Sequence, residues 1–205
     1  MPNPQFEILE AATGYAGFFR LIRYRLRYRL FSGAWSPVIT RELFERGHAA
    51  ALLPYDPIAD RVILIEQFRI GALEAAGGPW LLEIVAGIIE PGETPEDVVR
   101  REAVEETGCP VQDVVPICEY LVSPGGTSER ISLFCGRVDA SQAGGIHGVA
   151  DEAEDIRVVV MSVDEAIARL QAGAIVSAAP IIALQWLILN REQLRRRGGA
   201  TAEQD

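Results

Sequence analysis

Between Gly92 and Gly108 the chain reads GETPEDVVRREAVEETG, with six carboxylates around two consecutive arginines. Like charges one helical turn apart repel by a few tenths of a kcal/mol per pair. Thr94 is an N-cap residue, Pro95 suits the first helical position, and Glu96 and Asp97 suit the positive end of a helix. Gly108 is a natural C-terminal stop, so the spacing predicts a helix over 95–107. At about 100° per residue, Glu102, Glu105 and Glu106 share an arc of about 100°, and Val98 and Val99 lie on the same side one turn earlier. The carboxylates therefore continue the line of residues that should face inward. Two readings follow. One is a charged stripe on a surface helix. The other is a hard-cation site, because Mg2+ takes oxygen ligands and is held by a few carboxylates plus substrate phosphates. Arg101 can brace a neighbouring carboxylate and so fix which ones stay free to ligate.

The elements that must position this helix read as mixed α/β. In RLIRYRLRYRLF, arginines at 23, 25, 27 and 29 alternate with Tyr24, Leu26, Tyr28 and Leu30, the period of a half-buried strand. That arginine row is either a polyanion site or a face that is solvated or paired with acids; the overall acidity favours the second. Further strands are predicted at VITRELFERG, AAALLPY, RVILIEQF and WLLEIVAG, and after the acidic helix at VVPICEYLV, RISLFCGRV and DIRVVVM, with turn signals at YDPIAD and AAGGPW. DASQAGGIHGVADEAED is a long, acidic, glycine-bearing linker of the kind that is functional or disordered. SVDEAIARLQAG should be a helix capped by Ser162 and closed at Gly173. SAAPIIALQWLILNREQLRRR should be an apolar helix ending in arginines that suit its dipole, followed by a frayed tail.

The chain has 205 residues, 22.4 kDa, and a hydrophobic fraction of 49%, enough for one core with additions. A net charge of −10 argues against a general nucleic-acid binder. All 19 basic residues are arginine, so any side-chain grip on phosphate must use guanidinium groups. No apolar run approaches the ~20 residues of a membrane span, and MPNPQFEILE lacks the features of a secretory leader. A cytoplasmic protein is the default expectation. Cys109, Cys118 and Cys135 sit among apolar residues without metal-ligand spacing, which predicts buried free thiols.

Gly87, five residues, Glu93, seven residues, then Arg101-Glu102-Ala103-Val104-Glu105-Glu106-Thr107-Gly108-Cys109 resembles the full Nudix box, G-x5-E-x7-R-E-U-x-E-E-x-G-U. All nine defined positions are occupied. The resemblance implies a Mg2+-dependent hydrolase of a nucleoside diphosphate linked to a second group, built as an α/β/α sandwich with a mixed sheet, with Mn2+ as a substitute metal. Pro124, fifteen positions beyond Cys109, resembles the mark of the ADP-ribose pyrophosphatases of that family. SPGGTSER, GGIHGVADEAEDIRV, RELFERGHAA and EQFRIGA are similar to their loops. Residues 1–45 would be an N-terminal β arm exchanged between the protomers of a homodimer, 46–197 the hydrolase domain, and 198–205 a flexible tail.

Carried over by position, the resemblance makes Glu102, Glu106, the Ala86 carbonyl and Glu154 the metal ligands, with Glu105 available to a further ion. Glu152 resembles the general base, although Glu152 and Glu154 could exchange roles. Arg41 and Arg69 resemble the arginines that clamp the diphosphate. Ser123, Gly126 and Glu129 resemble contacts to the terminal ribose, and Phe18 the aromatic that stacks on adenine. EIVAG departs from the common E-x-P-A-G, because Val85 stands where many relatives have proline. The implied substrate is a small nucleoside diphosphate sugar, with neither nucleic acid nor membrane as partner. ADP-ribose, hydrolysed to AMP and ribose 5-phosphate, is the leading expectation. GDP-mannose or another such sugar is the alternative, and a non-catalytic ADP-ribose sensor is the third.

Overall fold

The buried run from Ala49 to Asp56 is the centre of the larger of two compact units. This strand is covered on both faces, as a near-continuous apolar sequence requires. The computed structural model describes residues 5–149 and 154–202. Those residues form two compact units, one of residues 5–48 with 121–130 and one of 49–120 with 131–149 and 154–202.

In the larger unit an eight-stranded sheet contains β4 (Ala49–Asp56), β5 (Arg61–Phe68), β6 (Trp80–Glu83), β7 (Val85–Ile88), β8 (Val114–Leu121), β9 (Arg130–Arg137), β10 (Ile146–His147) and β11 (Ile156–Ser162). The main order is β10-β11-β5-β4-β9-β8. The β4–β9 pair is parallel, whereas β11–β5, β4–β7 and β5–β6 are antiparallel, so the sheet is mixed. β4 and β5 pair at Tyr55–Val62 and Asp56–Arg61. Beyond that point β5 takes β6 as partner and β4 takes β7. The predicted strand WLLEIVAG is thus two strands that change partner at Ile84.

Alternate residues of β4 feed two cores. Ala51, Leu53 and Tyr55 pack with Val62, Leu64, Leu133 and Met161 against α2 (Val163–Gln171) and α3 (Ala178–Ala202). Ala50 and Leu52 pack with Val85, Val98, Val99 and Ala103 against α1 (Pro95–Thr107). Helices on both faces make the α/β/α sandwich expected from the sequence.

The short helix α2 starts at Ser162, whose hydroxyl accepts from the Glu165 N–H at 3.1 Å. α3 runs past Arg195–Arg197 to Ala202, so those arginines do not occupy its last turn as the sequence suggested. At Gly198 the lack of a side chain leaves room for Pro57, whose Cγ lies 2.5 Å from where a Cβ would stand. Cys109 and Cys135 are buried free thiols; Cys118, predicted buried, is exposed on β8. Burial pushes the Cys135 thiol up to about 12.

The smaller unit carries a three-stranded antiparallel sheet, β1 (Phe6–Ala16), β2 (Arg20–Tyr28) and β3 (Ile39–Glu45). Its register sets Glu7 opposite Arg27 and Glu10 opposite Arg25. Arg27 donates to Glu7 at 2.7 Å, Arg25 to Glu10 at 3.3 Å, and Arg23 lies 3.9 Å from Glu10. Three of the four arginines are therefore set against acids of the adjoining strand, while Arg29 donates to the Gly33 carbonyl at 3.0 Å and lies 4.2 Å from the Trp35 ring centre. Among the described residues no helix is long and apolar enough to cross a membrane.

Candidate active site

α1 begins with a reciprocal capping box. The Asp97 N–H donates to the Thr94 hydroxyl at 3.2 Å, and the Thr94 N–H to Asp97 Oδ2 at 3.0 Å. It ends at Gly108, where φ is 72° and the N–H reaches the Val104 carbonyl. Val98, Val99 and Ala103 bury one flank, which fixes the rotation of the helix and turns Glu102 and Glu106 toward β7.

Glu106 is 2% exposed, and its Oε2 accepts the Ala86 N–H at 3.2 Å. Among the described residues it has no ion-pair partner. Burial, reinforced by the nearby Glu102 and Glu154 charges, pushes its carboxyl up to about 9. Burial also raises Glu102, with Arg101 opposing and Glu105 and Glu154 adding to the rise. Gly87 is what admits Glu102: a Cβ there would stand on the carboxylate, 2.6 Å from Glu102 Cγ.

Arg101 braces the cluster. It donates to Glu93 at 3.1 Å, to Glu102 Oε1 at 2.7 Å and to Glu105 at 3.1 Å. The bond to Glu93 raises the guanidinium further above its usual range and holds Glu93 below the usual carboxylate range. Glu105, more exposed, spends its charge on Arg101 and does not join the buried pair. Arg69 lies near enough to lower Glu106 slightly and is itself held by Glu83 at 2.7 Å. Glu154 is partly buried, its N–H bonded to the Val149 carbonyl at 3.3 Å and its Oε2 accepting from the Val149 N–H at 3.3 Å.

The larger unit thus brings together Glu102, Glu106 and Ala86, with Glu154 and Arg69 within electrostatic reach. Glu152 lies outside the described residues. Among the described residues no three acidic, histidine or cysteine side chains already stand at metal-ligand spacing. The donor set is carboxylate and carbonyl oxygen beside a buried acid lacking a cation, which fits a hard divalent ion that keeps waters and takes up substrate phosphates. Val85, in place of the common proline, is fully buried opposite Leu52.

In the smaller unit Phe18 is 88% exposed and packs edge-to-face on Phe19 at 4.7 Å, which packs in turn on Phe44 at 5.3 Å. Arg46 lies 5.1 Å from the Phe19 ring centre and 3.4 Å from Glu129, which is buried. The Gly126 N–H donates to the Ser123 carbonyl, and the Gly126 carbonyl accepts from Phe44 N–H, so the 123–127 turn is tied to β3. Arg41 is exposed on β3 opposite Tyr24. An open depression of about 640 Å3, lined by residues that include Glu7, Arg29 and Trp35, holds no such carboxylate cluster.

Sequence reasoning missed Glu83 and Arg46. Each is the ion-pair partner of a residue that it picked out, and no local signal marks such a pairing.

The sequence model described as NUDIX domain matches residues 45–184. The chain belongs to the Nudix family. It is 56% identical over 189 residues to the ADP-ribose pyrophosphatase of Escherichia coli (strain K12), covering 92% of this chain and 90% of that protein. It is 40% identical over 152 residues to the GDP-mannose pyrophosphatase of Cronobacter sakazakii, covering 73% and 78%. A crystal structure of an ADP compounds hydrolase superposes with a TM-score of 0.69 at 21% identity, covering 95% and 96% of the two chains, which is a likeness of fold. Membership implies use of a divalent metal, and the two curated relatives are named for ADP-ribose and GDP-mannose.

Proposed function

We propose that this Nudix protein hydrolyses ADP-ribose to AMP and ribose 5-phosphate with Mg2+. The observation that carries this reading is the 56% identity over nearly the whole chain with an ADP-ribose pyrophosphatase, against 40% over a shorter span with a GDP-mannose pyrophosphatase. The buried Glu102–Glu106 pair beside Ala86 supports the metal assignment. In the overall reaction water adds to one phosphorus of the diphosphate, and the bridging oxygen leaves with the other.

Glu102, Glu106, Glu154 and the Ala86 carbonyl would hold the ion. The ion supplies charge neutralisation of the diphosphate and a more acidic attacking water. Arg101 keeps Glu102 oriented and occupies Glu105. Arg69 and Arg41 take diphosphate oxygens in bidentate fashion. Glu152 accepts the proton of the attacking water as general base. Phe18 stacks on the adenine, and Ser123, Gly126 and Glu129 meet the terminal ribose. The chain works as a homodimer with exchanged N-terminal arms, a reading supported by Phe6, Ile8, Leu9 and Tyr15, each at least half exposed on β1.

Steady-state kinetics on ADP-ribose and GDP-mannose test the assignment. It requires a kcat/KM at least tenfold higher for ADP-ribose. A preference for GDP-mannose would overturn the substrate while leaving the metal site in place, and tight ADP-ribose binding without turnover would make the protein a sensor.

A further inference from the structure

His147 is the one imidazole on the loop that leads to Glu154, and the proposed chemistry does not use it. It ends β10, the two-residue strand paired with β11 through Ile146–Arg157 and His147–Ile156. Its Nε2 lies 2.8 Å from the Gly144 carbonyl, and because a carbonyl only accepts, Nε2 carries the proton. The ring rests on the C-terminal cap of α1. A Cβ at Gly108 would be 3.0 Å from His147 Cε1 and within 4 Å of both ring nitrogens. Gly108 therefore answers two demands at once, a left-handed φ of 72° and room for an imidazole.

The next residues continue the contact toward Glu154. At Gly148, φ is 106°, and a Cβ would stand 2.8 Å from Glu154 Cβ and 2.9 Å from its carbonyl oxygen. Val149 then exchanges two hydrogen bonds with Glu154, one to the backbone and one to the carboxylate. An unbroken series of contacts thus runs from Gly108, two residues beyond Glu106, through the His147 ring and the Gly148–Val149 backbone to Glu154. The hydrogen bond to Gly144 stops the ring from swinging off the helix end.

We infer that His147 is a positioning residue: it clamps the Glu154 segment to the C-terminal end of α1 and so sets Glu154 relative to Glu102 and Glu106. The inference rests on the reading of Glu154 as a metal ligand. Residues that hydrogen-bond a metal ligand commonly control affinity or activity by 10–100-fold, and His147 acts one contact further out, so the low end of that range is expected. A clamp of this kind acts on the ion and leaves the grip on the sugar and base unchanged.

The test is Mn2+ binding followed by electron paramagnetic resonance on the full-length protein, together with thermal melting without metal and KM for ADP-ribose at saturating Mg2+. Four proteins are compared with wild type: His147→Ala, His147→Gln, Glu154→Gln and His147→Ala/Glu154→Gln. The glutamine amide can replace Nε2 as donor to Gly144. His147→Ala should weaken Mn2+ binding about tenfold, with the melting temperature and KM close to wild type, and His147→Gln should recover most of the loss. The double variant should bind no more weakly than Glu154→Gln alone, because the clamp acts through that carboxylate.

Wild-type Mn2+ affinity in His147→Ala, beside a clear loss in Glu154→Gln, would overturn the clamp alone. Wild-type affinity in Glu154→Gln would overturn the ligand reading and the clamp with it. Additive losses in the double variant, or a loss that tracks the melting temperature without rescue by glutamine, would reduce His147 to a structural role.

Discussion

Replacing Glu106 by glutamine should remove hydrolysis and make the metal-free protein more stable. The carboxyl is buried, accepts a single backbone N–H at 3.2 Å, and is raised from 4.5 to about 9. A group whose folded pKa lies above its unfolded one gives its full stability below the unfolded value and loses it as pH rises through the folded value. At pH 7 the side chain is protonated in the fold and ionised in the unfolded chain. That difference spans about 2.5 pH units, an upper bound of about 3 kcal/mol against the fold. Relaxation and water entry reduce this, so about 1–3 kcal/mol is the expected gain for the glutamine, whose carbonyl still accepts from Ala86. For a protein of this size that is about 3–10 °C in melting temperature. The assay is thermal melting of both proteins in EDTA from pH 5 to pH 9. The gap should be small at pH 5 and widen toward pH 9. Excess Mg2+ should raise the melting temperature of the wild type and leave the variant nearly unchanged. A variant less stable than wild type at every pH, or a gap that does not shrink on acidification, would refute the argument.

Gly87→Ala puts a methyl group on the Glu102 carboxylate and should cut metal affinity about 10–100-fold with the fold retained; Gly71→Ala, where a Cβ meets nothing within 4 Å, is the control. Mn2+ titration of both variants decides it. Arg69→Ala should raise KM for ADP-ribose about 10–100-fold, with a smaller fall in kcat, as expected for a phosphate grip shared by ground and transition states. Arg191, bonded to Asp60 and Asp164, holds the Asp60 carboxyl below the usual carboxylate range. That depressed pKa gives stability present above the unfolded value and lost as pH falls through the folded one. Arg191→Ala should therefore cost about 1–3 kcal/mol near pH 7, with the deficit closing below pH 4 in denaturant titrations.

The acidic helix was legible because its signals are local. Thr94, Pro95 and Gly108 bound it, and the 3.6-residue period places Val98, Val99 and Glu106 on one side. The structure has the same limits and the same buried flank. AAALLPY was equally readable as a strand, and its burial on both faces is what the structure adds. Partner choice was not. WLLEIVAG is one apolar run in sequence, yet its halves join different strands, because β4 and β5 part after their turn. Nor does spacing separate Glu105 from Glu106. One is half-exposed on Arg101 and the other is sealed under β7, a difference of one step around the helix that only packing against Ala86 decides. The chain from Gly198 was read as a flexible tail because glycine is a poor helix former, yet α3 runs on to Ala202. The distant contacts Gly87–Glu102 and Gly108–His147 leave no trace beyond the identity of the glycines.

The most direct test of the central claim is phosphorus NMR of ADP-ribose incubated with the wild-type protein in Mg2+, then in EDTA, then with Mg2+ restored. AMP and ribose 5-phosphate are expected in equal amounts in the first and third conditions, and intact diphosphate in the second. AMP released at an undiminished rate in EDTA, or diphosphate left intact in Mg2+, would contradict the claim.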